Sequence, residues 1–425
     1  MQVFLAIAIF VITYILIVSE HFHQTLLVLL GGFLLVSLRI IDQAEAIHSI
    51  DFNTIGLLTG MMIVVEIVKE TGFFQYLAIK ACKLAGGRPM LILVYISIIT
   101  AIASALLDNV TTILIVLPLI LVVTDTLEIS PIPFLVSQII ISNIGGTATL
   151  IGDPPNILIG SATGLGFNDF IVNMAPIAIV IAIVTLIILC IIYHKDLKTT
   201  PEIQEKIMQF TPRKLLQSFW VIKRSLFVLM LIFTGFLVHK QMGLEPATIA
   251  LGGASLLLVL TELDPKKALR DVEWSTIFFI MGMFVLVAGI EKVGAISFLA
   301  GKLIAFSKGD LPTLSIMVVW LGGICSAFLD NIPFIVTMIP MIKQIGATTA
   351  INTDALWWAL ALGGCLGGNG TLFGAAANVA AVGLYRNAGK KFSWMEFFKV
   401  GFPLTLISLV MATIYVYLVI LPKYQ

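Results

Sequence analysis

Asp108 and Asn109 stand inside unbroken apolar sequence, in the string Ser104-Ala105-Leu106-Leu107-Asp108-Asn109-Val110-Thr111-Thr112. The pattern returns 222 positions later as Ser326-Ala327-Phe328-Leu329-Asp330-Asn331-Ile332. An ionisable group at bilayer depth costs roughly 2.5–3.5 kcal/mol on insertion scales, so it is retained where function needs it. Two such groups at matched positions require a fold that can satisfy both.

The rest of the chain supplies the membrane. Of 425 residues, 59% are hydrophobic and 12% charged, and the mean hydropathy is +1.07. That composition predicts an all-α polytopic membrane protein. A net charge of +1 gives no bias toward nucleic acid. Cys82, Cys190, Cys325 and Cys365 lack metal or redox spacing and read as packing residues. Residues 1–18 lack a basic n-region and a small-residue cleavage site, so they read as a first span.

Apolar runs of spanning length fall at 3–18, 24–41 and 54–69. Residues 70–89, with Lys80, Lys83 and Arg88, read as an amphipathic interfacial helix. Segments 90–107 and 110–124 flank Asp108 either as two spans or as a re-entrant hairpin. Segment 132–164 starts as a helix, but the glycines and prolines from Gly145 to Asn156 interrupt it. A span at 170–193 closes the half. Basic residues dominate from Lys195 to Arg224, including Arg213 and Lys214, and mark a cytoplasmic linker.

The 222-residue register extends well beyond the acids. Gly60-Met61 matches Gly282-Met283, Pro118 matches Pro340, Gly145-Gly146 matches Gly367-Gly368, and Asn156 matches Asn378. The expected organisation is a first repeat over 1–194, the linker over 195–224 and a second repeat over 225–425. Each repeat would hold about five crossings plus a re-entrant hairpin and a discontinuous helix, and an odd number inverts the halves. With the linker inside, Lys69, Lys80, Lys83, Arg88, Lys266, Lys267, Arg270, Arg386, Lys390, Lys391 and Lys399 fall inside. Arg39, Lys240, Lys292, Lys302, Lys308, Lys343 and Lys423 fall outside, which obeys the positive-inside rule.

Asp108 and Asp330 read as mid-membrane carboxylates that bind a cation or proton, although an acid ahead of an apolar helix also serves as an N-cap. Asp153-Pro154-Pro155-Asn156 reads as a helix start beside unwound backbone. Its counterpart is Ala375-Ala376-Ala377-Asn378, so the acid is absent from the second copy and Asp153 becomes a coupling-ion candidate, with capping the competing reading. The glycine cluster from Gly363 to Gly370 has no Lys-Ser/Thr ending and reads as unwound helix, not as a phosphate loop. His21 and His23 make a weak metal motif in a short loop, and Trp357, Trp358 and Trp394 suit interfacial belts.

Three strings now carry a family likeness. Leu107-Asp108-Asn109-Val110-Thr111-Thr112, Asn143-Ile144-Gly145-Gly146-Thr147-Ala148 and Gly152-Asp153-Pro154-Pro155-Asn156 resemble the ion transporter superfamily, in its arsenite permease and melanosomal P protein branch, with NhaD-type sodium/proton antiporters nearby. The resemblance implies two inverted repeats, a scaffold and a mobile transport part, and an elevator motion. It implies secondary transport of a small inorganic solute or ion coupled to Na+ or H+, with no other cofactor and no enzymatic activity. The implied site comprises Asp108, Asn109, Thr147, Thr149, Asp153, Asn156, Asp330, Asn331, Asn369, Thr371 and Asn378, with Na+ near Asp108, Asp153 or Asp330. Related dicarboxylate and citrate carriers offer the alternative substrate class. An intramembrane aspartyl protease would show Gly-x-Gly-Asp and Pro-Ala-Leu strings, which the chain lacks. A passive channel is a further alternative, disfavoured by the broken helices. Expected partners are membrane lipid, the solute, a second copy in a homodimer and, because no ATP-binding motif is present, any ATPase as a separate subunit. The expected location is a prokaryotic inner membrane.

Overall fold

The structure, a computed structural model, describes residues 1–19, 21–210, 219–349 and 351–424. Arg213 and Lys214 of the basic linker lie outside the described residues. The first half runs α1 (Gln2–Ser19), α2 (Gln24–Ser37), α3 (Gln43–His48), α4 (Phe52–Glu70), α5 (Phe73–Leu84), α6 (Pro89–Leu106), α7 (Asn109–Thr126), α8 (Ile132–Thr147), α9 (Pro154–Thr163) and α10 (Phe167–Tyr193). After α11 (Pro201–Met208) come α12 (Phe219–Met242), α13 (Pro246–Thr261), α14 (Pro265–Arg270), α15 (Trp274–Lys292) and α16 (Ala295–Ser307). The chain ends with α17 (Leu311–Phe328), α18 (Asn331–Thr348), α19 (Asp354–Gly367), α20 (Ala376–Asn387) and α21 (Trp394–Tyr415). A π-turn (Val416–Ile420) links α21 to α22 (Leu421–Tyr424). Among the described residues nine helices are long and apolar enough to cross a membrane, so the chain is an all-helical, multi-pass membrane protein.

Helix starts follow the sequence register. The pairs α2/α13, α3/α14, α4/α15, α5/α16, α6/α17, α7/α18, α8/α19 and α9/α20 each begin 222 positions apart. Local chemistry repeats with them. Gly72 (φ 73°) and Gly294 (φ 82°) adopt the left-handed conformation that turns α4 into α5 and α15 into α16. Cross-half packing is reciprocal: α2 packs on α15 as α13 packs on α4, and α7 on α20 as α9 on α18.

Directions can be read from the ends. Ser49 and Asp51, where α4 begins, share a cavity with Glu291 at the end of α15. Glu70, at the end of α4, is paired with Lys267, just before α15. The equivalent helices α4 and α15 therefore run antiparallel. Other ion pairs join ends that the charge reading places on one face, such as Lys390–Asp125 (2.5 Å) inside and Lys240–Asp169 (2.6 Å) outside. On the face the charge reading places outside, Lys292 also grips Glu45 at 2.5 Å and holds that carboxyl below its usual range.

Both ends of the α6–α7 pair reach the α11 segment. Gly87 packs against the Gln204 backbone, Lys206 pairs with Glu128 at 2.9 Å, and the Thr199 hydroxyl donates to the Leu127 carbonyl at 3.0 Å. α6 and α7 thus form a hairpin whose turn, at Leu107-Asp108, lies far from its ends. α6 lies tightly along α8, because a side chain at Gly145 would strike the Ala101 carbonyl. Gly367 stands in the same relation to Gly323, between α19 and α17.

Two sequence expectations change. Gly145-Gly146-Thr147 and Gly363-Gly364 stay helical, so the breaks narrow to 148–153 and 368–375. Trp357 and Trp358 are not interfacial. They are 5% and 0% exposed, and the Trp358 indole N–H donates to the Tyr424 hydroxyl at 3.1 Å. α19 lies in the middle of the protein, where a tryptophan needs an internal partner and not a headgroup.

Candidate functional site

Four helix starts converge on one point. α7 and α18 begin at the two hairpin turns, and α9 and α20 begin at the two breaks. Their first residues, together with Asp108, Asn109, Asp153, Asp330 and Asn331, line a cavity of about 50 Å³. A water needs about 10–15 Å³ by this kind of measure, so the space suits a small ion with part of its hydration shell.

The three acids are held differently. Asp108 caps α7, accepting the Thr111 N–H at 2.8 Å. Asp153 precedes α9 but makes no capping bond; its carboxylate, 1% exposed, accepts the Asn109 and Asn331 amides, each at 3.3 Å. Asp330 makes no side-chain cap either, and its Oδ1 is buried without a partner. Capping therefore accounts for Asp108 alone. None of the three forms a salt bridge among the described residues, and no Lys, Arg or His lines the cavity.

Six predicted site residues back the cavity without lining it. Asn156 donates to the Gly146, Thr147 and Thr149 carbonyls, and Asn378 to those of Gly368 and Thr371. Thr149 and Thr371 donate across to the hairpin carbonyls of Ala105 and Ala327 at 2.5 and 2.6 Å. Thr147 bonds the Asn143 carbonyl, and Asn369 donates to the Ile140 carbonyl. The bonds to Gly146, Thr147, Thr149, Gly368 and Thr371 and to the two hairpin ends satisfy backbone that the breaks and turns leave open, as burial demands.

Two residues outside the predicted set matter as much. Asn143, in α8, accepts from Asn109 at 3.1 Å and donates to Asn369 and Asn378 at 2.8 and 2.9 Å, joining the two breaks. Its counterpart is Cys365, whose thiol donates to Asn156 Oδ1 at 3.4 Å, so this cysteine does more than pack. Glu273, ahead of α15, lines the cavity beside Asp108. The register itself points to it, since position 51 in the first half is also an acid before a spanning helix.

Access is one-sided. A vestibule of about 680 Å³ adjoins the cavity, shares Gln24, Val110, Glu273, Asp330 and Ala376 with it, and reaches Phe22 and Trp394 on the predicted inner face. Tyr14 of α1 also lines it, and its hydroxyl bonds the Pro333 carbonyl and Thr337 hydroxyl of α18, both at 2.8 Å. On the other face a cavity of about 540 Å³ reaches Leu57 and Leu150 and includes none of the three acids. The next residues, Leu58 and Ile151, face the central cavity. All four are at most 4% exposed and form a thin apolar barrier.

Comparison with known proteins shows what the whole chain is similar to. The citrate transporter family model matches residues 14–363. The 46 kDa membrane protein of Mycobacterium leprae is 36% identical over 97% of this chain and 98% of its own length. The P protein of Homo sapiens is 33% identical over 96% of this chain, which spans 59% of that longer relative. The YdaH transporter of Alcanivorax borkumensis shares the fold, with a TM-score of 0.59 at 14% identity over 97% of this chain and 99% of its own.

Proposed function

The chain belongs to the citrate transporter family, and on that premise we propose that this transporter is a secondary carrier moving a small inorganic solute or ion in exchange for, or together with, H+ or Na+. The observation that carries the reading is the charge balance of the central cavity. Each of four helix N-termini contributes roughly +0.5, about +2 in sum, against four lining carboxylates, Asp108, Asp153, Asp330 and Glu273. The remainder is about −2 with no basic side chain lining the cavity, so the site calls for a monovalent cation or a proton at its three central acids. Asp108, Asp153 and Asp330 hold it, while Asn109, Asn331 and Asn143 fix the carboxylates and the hairpin turns in register.

The halves are inverted repeats, a reading supported by the antiparallel α4 and α15 and the reciprocal packing. The hairpins are re-entrant, supported by the return of α6 and α7 to the α11 segment. α6–α9 with α17–α20 form the mobile part and move against α1–α4 and α12–α15 as an elevator. The chain is read in the state open to the inside of a prokaryotic plasma membrane. Opening outward requires parting Leu57-Leu58 from Leu150-Ile151.

The citrate in the family's name suggests a second reading, a citrate-type anion carrier. Three neutralised carboxylates would leave the four N-termini free to attract an anion. Proteoliposomes offered arsenite, Na+ and citrate, with and without pH and sodium gradients, separate the two. The proposal expects cation-coupled flux that Asp108→Asn, Asp153→Asn and Asp330→Asn each reduce to background. Wild-type flux in all three variants would sink it.

A further inference from the structure

We propose that Glu273 is a relay carboxylate on the inner side, which takes the monovalent cation from the vestibule and passes it to the three central acids. This rests on the secondary-carrier reading above. Glu273 and Asp330 are the two acids that line both the central cavity and the vestibule, so a cation passes both on its way in. Glu273 is half-buried, unlike the fully wetted acids of the α11 segment. Its one side-chain bond comes from the Thr276 hydroxyl to Oε2 at 3.2 Å, and it forms no salt bridge among the described residues.

The counterpart position shows what a purely structural acid looks like here. Asp51 accepts the Asn53 and Thr54 N–H groups and the Thr54 hydroxyl, and so is spent on capping α4. Glu273 stands at the same place before α15 and makes no backbone cap. A half-buried carboxylate without a cationic partner or a capping duty is costly unless a mobile cation offsets it. The charged groups around it are Asp108, Asp330, Glu66, Lys69 and, beyond Ser275, His23. Lys69 is engaged by Glu66 at 2.9 Å and forms no ion pair with Glu273.

The test is cation-dependent thermal unfolding of the purified full chain, titrated with NaCl against choline chloride, and separately with pH. Proton flux in proteoliposomes carrying an entrapped pH dye is followed in parallel. The cation that shifts the wild-type midpoint identifies H+ or Na+ as the relayed species. In Glu273→Gln the half-saturating concentration of that cation rises about tenfold while the maximal shift is kept. Glu273→Asp recovers most of the affinity, which a merely structural role would not require. Asp330→Asn loses the response altogether. If Glu273→Gln and Glu273→Asp both match the wild type while Asp330→Asn is silent, the relay is wrong and the carrier reading stands. If Glu273→Gln is as silent as Asp330→Asn, Glu273 belongs to the central site and the relay is again overturned. Absence of any cation response in the wild type overturns both.

Discussion

The two hairpin turns share a backbone plan and differ in chemistry. Ser104 donates to the Ser142 carbonyl and Ser326 to the Gly364 carbonyl, both at 2.6 Å, in the same register. Yet Asp108 is tied to the Thr111 N–H, while Asp330 leaves an oxygen buried and unpartnered. The breaks differ in the same way, with Asp153 in one and Ala375 in the other. The scaffold bonds use groups every copy must satisfy, so they stay alike. The ionisable groups answer to a single shared cavity, where a second Asp153 would add charge with nothing to balance it.

The largest expected effect tests whether position or half matters. Asp153→Ala should reduce cation-coupled flux to background, and adding Ala375→Asp to it should restore a measurable part, because both positions precede helices that start at the cavity. No recovery in flux assays would show the halves to be unequal beyond their acids. Next come the scaffold asparagines. Asn156→Ala and Asn378→Ala strand buried carbonyls in either break, and each should cost about 1–3 kcal/mol in reversible unfolding. Unequal losses would break the claim that the two breaks are held alike. The smallest effect separates the turns: Asp108→Ala should cost about 1 kcal/mol as a lost N-cap. Asp330→Ala should cost nothing by that route, and equal losses in thermal unfolding would erase the distinction.

Much of this was visible in the residues. Apolar runs, glycine and proline interruptions and the 222-residue register located the helices, because each is a local property of the chain. The acids stood out because their surroundings are apolar. What stayed hidden depends on which groups meet. Asn143 begins one of the three strings that carry the family likeness, but its partners Asn369 and Asn378 lie 226 and 235 positions away, so nothing local marks it as the link between the breaks. Glu273 looks like an ordinary acid at a span end until the fold sets it beside Asp108. Conversely, Asn156, Thr149 and Thr371 carry polar groups at the right depth but turn them to the backbone, a choice no spacing reveals.

Tyr14 has no equivalent in the other half, where position 236 is phenylalanine. On the proposed carrier mechanism, a phenol that fastens α18 in one arrangement, with a bare ring at the mirrored place, weights the resting population toward that arrangement. Such a bias leaves the overall equilibrium across the membrane untouched, since that depends only on the gradients. It decides instead which compartment the idle protein samples, and so whose concentration sets the pace of turnover.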